Sequence, residues 1–227
     1  VIICVVAENT KRVISAHNMP CKLVDEQFLS VFEDIVPKAV KIGMLPSKAL
    51  MSCVAKNLQS YKAKNIVLDP VMFAKNGFAL MPLRNCEFFK KTMLQFADVL
   101  TPNIPEAQYL CGFSIKSKDD MIKAAKELKK LGAKAVLLKG GHREKDANDV
   151  LYDGKEIFIL ESQKIDTKNT HGTGCTLSSA IASNLAKGKK LYEAVKEAKD
   201  YVYNAILNSL DLGKGCGPTN HFYFLKD

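Results

Sequence analysis

Short apolar runs along the chain alternate with segments in which apolar residues recur every three or four positions. The short runs are rich in β-branched residues and predict strands, because such runs are typical of strands buried inside a sheet. Residues 1–7 are predicted to form a strand buried on both faces of a parallel sheet. Further strands are predicted at residues 13–16, 39–42, 66–68, 98–100 and 135–138, and on either side of the turn at Asp153 and Gly154.

The helical spacing recurs in the segments between these runs. Asn103, followed three residues later by Glu106, indicates the start of one helix, and Gly132 and Gly188 indicate the ends of two others. The predicted helices cover residues 25–35, 46–58, 84–96, a segment from 103 onwards, 118–131, 177–185 and 191–210.

Strands that alternate with helices indicate an α/β protein with one doubly wound, mostly parallel central sheet and helices on both faces, a three-layer α/β/α arrangement. No repeat, low-complexity stretch or linker interrupts the pattern, so residues 1–227 are expected to form a single domain. The first residues already read as a strand, and no methionine precedes them.

The charge and the cysteines narrow the class of protein. The formal net charge is +9, but arginine occurs only at positions 12, 84 and 143, whereas specific nucleic-acid contacts depend heavily on arginine. We therefore expect no nucleic-acid partner and a general attraction for phosphorylated small molecules.

The seven cysteines form no C-x-x-C pair and are odd in number, which favours reduced thiols in the cytoplasm. The longest apolar run is too short to cross a bilayer, so no membrane association is expected.

The strongest local signal is the loop at residues 166–179, which leads into a helix. Gly172 and Gly174 form a tight turn at the helix N-terminus, with Cys175 in the first turn. Unpaired N–H groups and the positive end of the helix dipole favour a bound anion there. Taken alone, the two glycines could equally serve backbone geometry, with Cys175 an inert thiol.

Polar residues also follow several predicted strands, where ligands bind in open α/β sheets. Each has a local explanation of its own: a turn at Asp69, a helix cap at Asn103 and Glu106, and a surface lysine at Lys139. Together, acids, a lysine and a glycine-rich anion site at one sheet edge match what magnesium-assisted phosphoryl transfer requires.

The motifs KIGML (41–45), LDPVM (68–72), TPNIPEA (101–107), LLKGGH (137–142), NTHGTGCTLSSAIA (169–182) and GKGCGPTNHF (213–222) occur in order along the chain. Together they resemble the hydroxymethylpyrimidine and phosphohydroxymethylpyrimidine kinases of thiamine biosynthesis, which belong to the ribokinase-like superfamily. Members of that family begin with a further strand–turn–helix unit. By comparison, a unit of roughly 35 residues is expected to be missing ahead of residue 1.

The resemblance implies an ATP- and Mg²⁺-dependent kinase that phosphorylates 4-amino-5-hydroxymethyl-2-methylpyrimidine and then its monophosphate. It implies an anion hole formed by the backbone of Gly172, Thr173 and Gly174, with Cys175 as the base. A thiolate is physically reasonable at a helix N-terminus. A homodimer is also expected from the resemblance.

The remaining implied roles also rest on the matched motifs. Lys139 would contact the phosphates, and Asn103, Gly141 and Thr173 would help to bind the nucleotide. The implied metal-side carboxylates are Asp69 and Glu106. The implied pyrimidine pocket contains Glu8, Met44 and Val71, in which Glu8 accepts from the exocyclic amine.

Three alternatives remain open from the sequence. A pyridoxal kinase of the same superfamily would have no amino donor for Glu8. A thiol hydrolase or transferase would use Cys175 with His171, although no orienting acid is evident. A catalytically dead relative would bind the pyrimidine without consuming ATP. The roles of His142 and His171 also stay open between loop positioning, which is the commoner role for such a side chain, and acid–base chemistry.

Overall fold

The computed structural model describes residues 1–74, 77–141 and 147–225, and His142 lies outside them. The first two strands, β1 (Cys4–Glu8) and β2 (Val13–Asn18), pair antiparallel and form a separate two-stranded sheet. The register shifts between Ala7 and Glu8, which turns the end of β1 away from regular pairing.

The central sheet has six strands in the order β3 to β8. Strands β3 to β6 pair in parallel, β7 pairs antiparallel with β6, and β8 pairs antiparallel with β7, so the sheet is mostly parallel as predicted. The strands are β3 (Val40–Ile42), β4 (Ile66–Leu68), β5 (Val99–Leu100), β6 (Ala135–Leu138), β7 (Asp149–Tyr152) and β8 (Ile157–Leu160).

Helices cover both faces of this sheet because successive strand residues point to opposite sides. Leu68 and Leu100 face a larger core, whereas Val67 and Val99 face a smaller one. The helices against the larger core are α1 (Cys21–Asp34), α2 (Lys48–Ser60), α3 (Cys86–Met93), α4 (Ile104–Cys111) and α5 (Lys118–Lys130). The helices against the smaller core are α6 (Thr173–Ala186) and α7 (Leu191–Leu207). The predicted three-layer α/β/α architecture is confirmed.

Residues 1–7 were predicted to form a strand buried in the parallel sheet, and this placement was wrong. They contribute a strand, but it belongs to the two-stranded sheet, and Val5 is 53% exposed. A run of β-branched residues favours any strand and does not specify its pairing partner. Residues 84–96 are also less regular than predicted, since 3₁₀ turns at Leu83–Asn85 and Leu94–Phe96 flank the short helix α3.

Candidate active site

Three neighbouring parallel strands deliver polar side chains to one edge of the sheet. Asp69 follows β4, Asn103 lies just beyond β5, and Lys139 follows β6. The parallel pairing continues past the ends of the strands, because Asn103 and Lys139 form an isolated bridge and the Lys139 N–H donates to the Pro102 carbonyl at 2.8 Å. These residues therefore lie together at the carboxyl ends of the strands, as expected.

The centre of this edge is a buried ion pair between Lys139 and Asp69. Lys139 Nζ donates to Asp69 Oδ1 at 2.9 Å, and their side chains are only 14% and 3% exposed. Thr101 Oγ1 donates to the same oxygen at 3.2 Å. Burial acts to lower the pKa of Lys139, but the carboxylates of Asp69 and Glu106 outweigh burial and raise that pKa above its ordinary value. Lys139 therefore presents a permanent positive charge.

Asn103 and Glu106 form a reciprocal capping box at the start of α4. Asn103 Oδ1 accepts the Glu106 N–H at 2.9 Å, and Glu106 Oε2 accepts the Asn103 N–H at 2.8 Å. Burial is the main cause that raises the pKa of Glu106 to about 7. The positive charge of Lys139 lowers this pKa in part, and the negative charge of Asp69 raises it further. Near neutral pH this carboxyl is poised between its two protonation states.

The glycine loop ends at the N-terminus of α6, as predicted, although the helix begins a few residues earlier. Gly172 is the N-cap residue, with a left-handed φ of 84° that favours glycine. Within the described residues, no acceptor is found for the N–H groups of Gly174 and Cys175. These N–H groups are the unpaired donors that the first turn of a helix leaves for an anion.

Gly174 brings the helix N-terminus against the ion pair. A Cβ added at Gly174 would lie 3.3 Å from Lys139 Nζ and 3.7 Å from Asp69 Oδ2. The absence of a side chain at Gly174 thus lets the helix backbone approach the lysine ammonium closely. The structure therefore brings the predicted anion loop, Lys139 and Asp69 into one site.

Cys175 lies in the first turn of α6 and is exposed. Together with Gly172 it opens onto a cavity of about 640 Å³ between α6 and α7, whose far wall includes Ala198 and Tyr201. The backbone of Thr173, predicted as part of the anion hole, is less available, because its N–H donates to the Thr170 carbonyl at 3.4 Å and its hydroxyl donates to the same carbonyl at 2.8 Å.

A second cavity of about 290 Å³ lies between the end of β1 and the chain around residues 214–216. Glu8 lines it, and Glu8 Oε1 lies 3.8 Å from His171 Nε2 across it. Met44 and Val71, the other predicted pocket residues, lie in the loops after β3 and β4 and are partly buried. Neither lines this cavity, so their joint role with Glu8 stays a prediction.

Several residues of the site escaped the sequence analysis. Thr101 belongs to a quoted motif, but its bond to Asp69 had no signal of its own. Lys214 and Cys216 line the cavity beside Glu8, which only the folded chain reveals. By contrast, Gly141 was among the predicted nucleotide-binding residues; it is exposed at the end of the Lys139 segment, where a ligand could reach its backbone.

The carboxylates at this edge of the sheet are suited to a magnesium ion that keeps water ligands, and not to a metal ion bound by protein side chains alone. The described residues contain no cluster of three or more His, Cys, Asp or Glu side chains that could enclose a metal ion. Asp69 and Glu106 provide two acidic groups beside the anion loop. Mg²⁺ is commonly held by one or two carboxylates, water and substrate phosphates, so this donor set is compatible with Mg²⁺.

The three-layer α/β/α fold and the helix N-terminus beside a buried lysine define a phosphotransferase of the ribokinase-like class. No helix in the described part of the chain is long and apolar enough to cross a membrane. The chain belongs to the phosphomethylpyrimidine kinase family, whose sequence profile matches residues 1–220. The family that the motifs predicted is thereby confirmed.

Individual relatives agree with this assignment. The hydroxymethylpyrimidine/phosphomethylpyrimidine kinase of Aquifex aeolicus is 44% identical over 216 residues, which cover 95% of this chain and 85% of the relative. Among solved structures, an ADP complex of Bacillus subtilis pyridoxal kinase has a TM-score of 0.89 and 36% identity, with 97% and 85% of the two chains covered. A phosphomethylpyrimidine kinase from Clostridium difficile has a TM-score of 0.80 and 39% identity, with 90% and 84% covered.

Proposed function

We propose that this chain transfers the γ-phosphoryl group of ATP to the hydroxymethyl oxygen of 4-amino-5-hydroxymethyl-2-methylpyrimidine, and then phosphorylates the monophosphate to the diphosphate, in thiamine biosynthesis. The observation that carries the proposal is the position of Lys139, paired with Asp69 at 2.9 Å and placed against Gly174 at the start of α6. A fixed positive charge beside unpaired N–H groups stabilises charge on a transferring phosphoryl group. The named kinases of the family support the choice of substrate.

The anion loop would bind the transferring phosphoryl group through its backbone. The N–H groups of Gly174 and Cys175 have no acceptor among the described residues, whereas the Thr173 N–H already donates to the Thr170 carbonyl at 3.4 Å. Lys139 adds its charge from the sheet. The other phosphates of ATP would contact the segment after β6, which includes Gly141, and the Asn103 side of the edge. The solved ADP complex of the Bacillus subtilis pyridoxal kinase supports nucleotide binding by this chain.

Asp69 and Glu106 are the groups that would hold Mg²⁺ with the nucleotide. When bound, the ion would neutralise part of the phosphate charge. A nearby cation would also draw the proton from Glu106, whose pKa burial has raised to about 7.

Cys175 would act as the base that takes the proton from the hydroxymethyl oxygen. Its thiol is exposed on the first turn of α6, next to the anion loop, where a substrate oxygen can reach it. Phosphoryl transfer passes through a loose transition state, so the base is expected to matter less than the anion hole.

Glu8 would recognise the pyrimidine by accepting a hydrogen bond from its exocyclic amine. Its carboxylate lines the 290 Å³ cavity and faces His171, whose backbone leads directly into Gly172. This chain connection puts the amine-recognising group and the anion loop on adjacent segments. Met44 and Val71 would cover the apolar faces of the ring.

Pyridoxal phosphorylation is a second candidate activity, and it is favoured by the likeness to Bacillus subtilis pyridoxal kinase at a TM-score of 0.89. Pyridoxal carries a phenolic oxygen in place of the amine, so it offers Glu8 no amino donor. The carboxylate at position 8 therefore favours the aminopyrimidine.

Product analysis tests the proposal directly. The protein is incubated with ATP, Mg²⁺ and either the hydroxymethylpyrimidine or pyridoxal, and the products are identified by mass spectrometry. We expect the pyrimidine mono- and diphosphates, with pyridoxal phosphorylated more slowly. Preferential formation of pyridoxal phosphate, or pyrimidine binding without any ATP consumption, would overturn the proposal.

The proposed assembly is a homodimer, as the family resemblance implies. The exposed Val5 and Ile14 side chains of the two-stranded sheet, which are 53% and 62% exposed, provide apolar surface that association could cover. Light scattering coupled to size-exclusion chromatography would measure the mass, and a monomer at micromolar concentration would contradict the dimer.

A further inference from the structure

A second buried ion pair lies behind the phosphate-binding segment. Asp149 is the first residue of β7, and Lys199 lies on α7, 50 residues further along the chain. Lys199 Nζ donates to Asp149 Oδ2 at 2.6 Å, and their side chains are only 12% and 8% exposed. Both charged groups are bonded to other parts of the chain, and these bonds indicate what the buried pair does.

The other oxygen of Asp149 holds the backbone next to Lys139. Asp149 Oδ1 accepts the Gly140 N–H at 2.8 Å. Gly140 also packs so tightly that an added Cβ would lie 1.8 Å from the Asn148 carbonyl oxygen. The peptide that follows Lys139 is therefore pressed against the start of β7 and fixed there by a carboxylate.

Lys139 is fixed from the opposite side as well. Its own N–H donates to the Pro102 carbonyl at 2.8 Å, in continuation of the parallel pairing between β5 and β6. The backbone of Lys139 is thus held between two neighbours, and from that position its side chain donates to Asp69 at 2.9 Å. A shift of the Gly140 peptide would move the lysine ammonium relative to α6.

We propose that Lys199 and Asp149 are positioning residues for nucleotide binding: Lys199 keeps Asp149 ionised and oriented, and Asp149 fixes the Gly140 peptide so that Lys139 meets the phosphates. The inference rests on the proposed function only in taking Lys139 as the phosphate-binding lysine. Lys199 also donates to the Ala147 carbonyl at 2.8 Å, which ties α7 to the chain entering β7.

The physical reason is that a buried carboxylate needs a partner to stay charged. Burial raises the pKa of Asp149, and the ammonium of Lys199 opposes that rise. Without Lys199, Asp149 would take up a proton or move towards water, and a neutral or displaced carboxyl is a weaker acceptor for the Gly140 N–H. The loss would therefore reach Lys139 through one peptide group.

The test compares Lys199→Met and Asp149→Asn with Lys199→Arg and with Lys196→Met, which removes an exposed lysine from the same helix. Affinity for ADP is measured by calorimetry, and kcat and KM are measured for ATP and for the pyrimidine separately. We expect Lys199→Met to weaken ADP binding and raise the KM for ATP by about tenfold, as for one lost charge-assisted hydrogen bond. The KM for the pyrimidine should stay within about twofold, Lys199→Arg should restore most of the affinity, and Lys196→Met should resemble the unsubstituted protein.

A purely structural role would lower thermal stability in Lys199→Met and Asp149→Asn while leaving the ADP affinity of the folded protein unchanged, and that result would overturn the proposal. If Lys199→Met does not fold, the same comparison is made with Asp149→Asn, for which an unchanged ADP affinity is equally contradictory. Failure of the unsubstituted protein to phosphorylate the pyrimidine would instead refute the proposed function, because the ADP measurement does not depend on the acceptor.

Discussion

Lys139 Nζ lies 2.9 Å from Asp69 Oδ1, and both side chains are almost completely removed from solvent. The residues are 70 positions apart in the chain, and only the parallel order of β4, β5 and β6 brings them together. A pair buried in this way, with a helix N-terminus directly against it, places positive charge where an anion is to be bound.

Replacement of Lys139 by Met should abolish most of the activity. The substitution removes the charge that faces the anion loop and leaves the buried Asp69 carboxylate with Thr101 as its one side-chain donor among the described residues. We expect kcat to fall by about 100-fold or more, the size of effect seen when one preorganised donor is lost. Lys64→Met, at an exposed lysine, is the control, and similar small losses in both variants would show that the phosphate site lies elsewhere.

Glu106 should lower the stability of the folded protein as pH rises. Its pKa is about 7 in the folded protein and 4.5 as the ordinary value, so between these pH values the folded state holds a proton that the unfolded state has released. The stabilisation by Glu106 is therefore fully present below about pH 4.5 and is lost as pH rises through about 7.

The Glu106→Gln variant tests this pH dependence, because Gln can keep the capping box without ionising. Relative to the unsubstituted protein, its free energy of unfolding in urea should increase between pH 5 and pH 8 by up to about 3 kcal/mol. Glu161→Gln, at an exposed carboxylate, controls for the change in net charge. An equal pH dependence in all three proteins would show that Glu106 ionises normally in the folded state.

Gly174→Ala should damage the site while leaving the helix intact. The new Cβ would lie 3.3 Å from Lys139 Nζ, so either the ammonium or α6 must move, although Ala favours a helix by about 1 kcal/mol relative to Gly. We expect kcat/KM for ATP to fall by at least about tenfold, with no loss of thermal stability. Ser183→Ala, on an exposed position of the same helix, should leave both quantities unchanged, and a fully active Gly174→Ala would contradict the close approach.

Cys175→Ala should slow the chemical step more than it affects nucleotide binding. If the thiolate accepts the proton of the hydroxymethyl group, kcat should fall by about 100-fold, as is typical for loss of a general base, while the KM for ATP changes little. Cys4→Ala serves as the control at a less exposed cysteine. Unchanged turnover in Cys175→Ala would exclude the base role and leave Cys175 as a structural part of the loop.

Glu8→Gln should shift the choice of substrate. Gln can still accept one hydrogen bond from the exocyclic amine, but without the negative charge, so kcat/KM for the pyrimidine should fall by about tenfold. The same ratio for pyridoxal should stay unchanged or rise. Parallel assays with both substrates measure this, and an equal loss for both would argue against recognition of the amine.

The sequence was most informative where local pattern and tertiary environment agree. The strands predicted at residues 66–68 and 135–138 have those bounds in the structure, and the helix predicted at 118–131 ends one residue earlier. Apolar composition, caps and glycine stops all indicate the same elements there. At residues 1–7 the local pattern was satisfied by a two-stranded sheet, because a strand-forming run does not determine which strand it will pair with.

The residues of the site likewise divide into those that the local sequence indicates and those that only the folded chain brings together. Asp69, Asn103 and Lys139 were predictable because each follows a strand of a parallel sheet, and such ends meet at one edge. Asp149 and Lys199 were not, since one begins an antiparallel strand and the other belongs to an amphipathic helix rich in lysine and glutamate. The spacing places Lys199 beside the apolar face of α7, four residues after Val195, but its burial and its pairing with Asp149 are evident only in the folded chain.

The approach of Gly174 to Lys139 joins two parts of the molecule that have separate cores. Lys139 and Asp69 extend from the sheet, whereas Gly174 belongs to the α6–α7 layer, which is held by the smaller core. A local opening that lifts this layer would widen the gap between helix and ammonium while the larger core stays packed. Loss of catalysis should therefore precede the bulk loss of helical signal during denaturation, which makes enzymatic activity the earliest indicator that the smaller core is loosening.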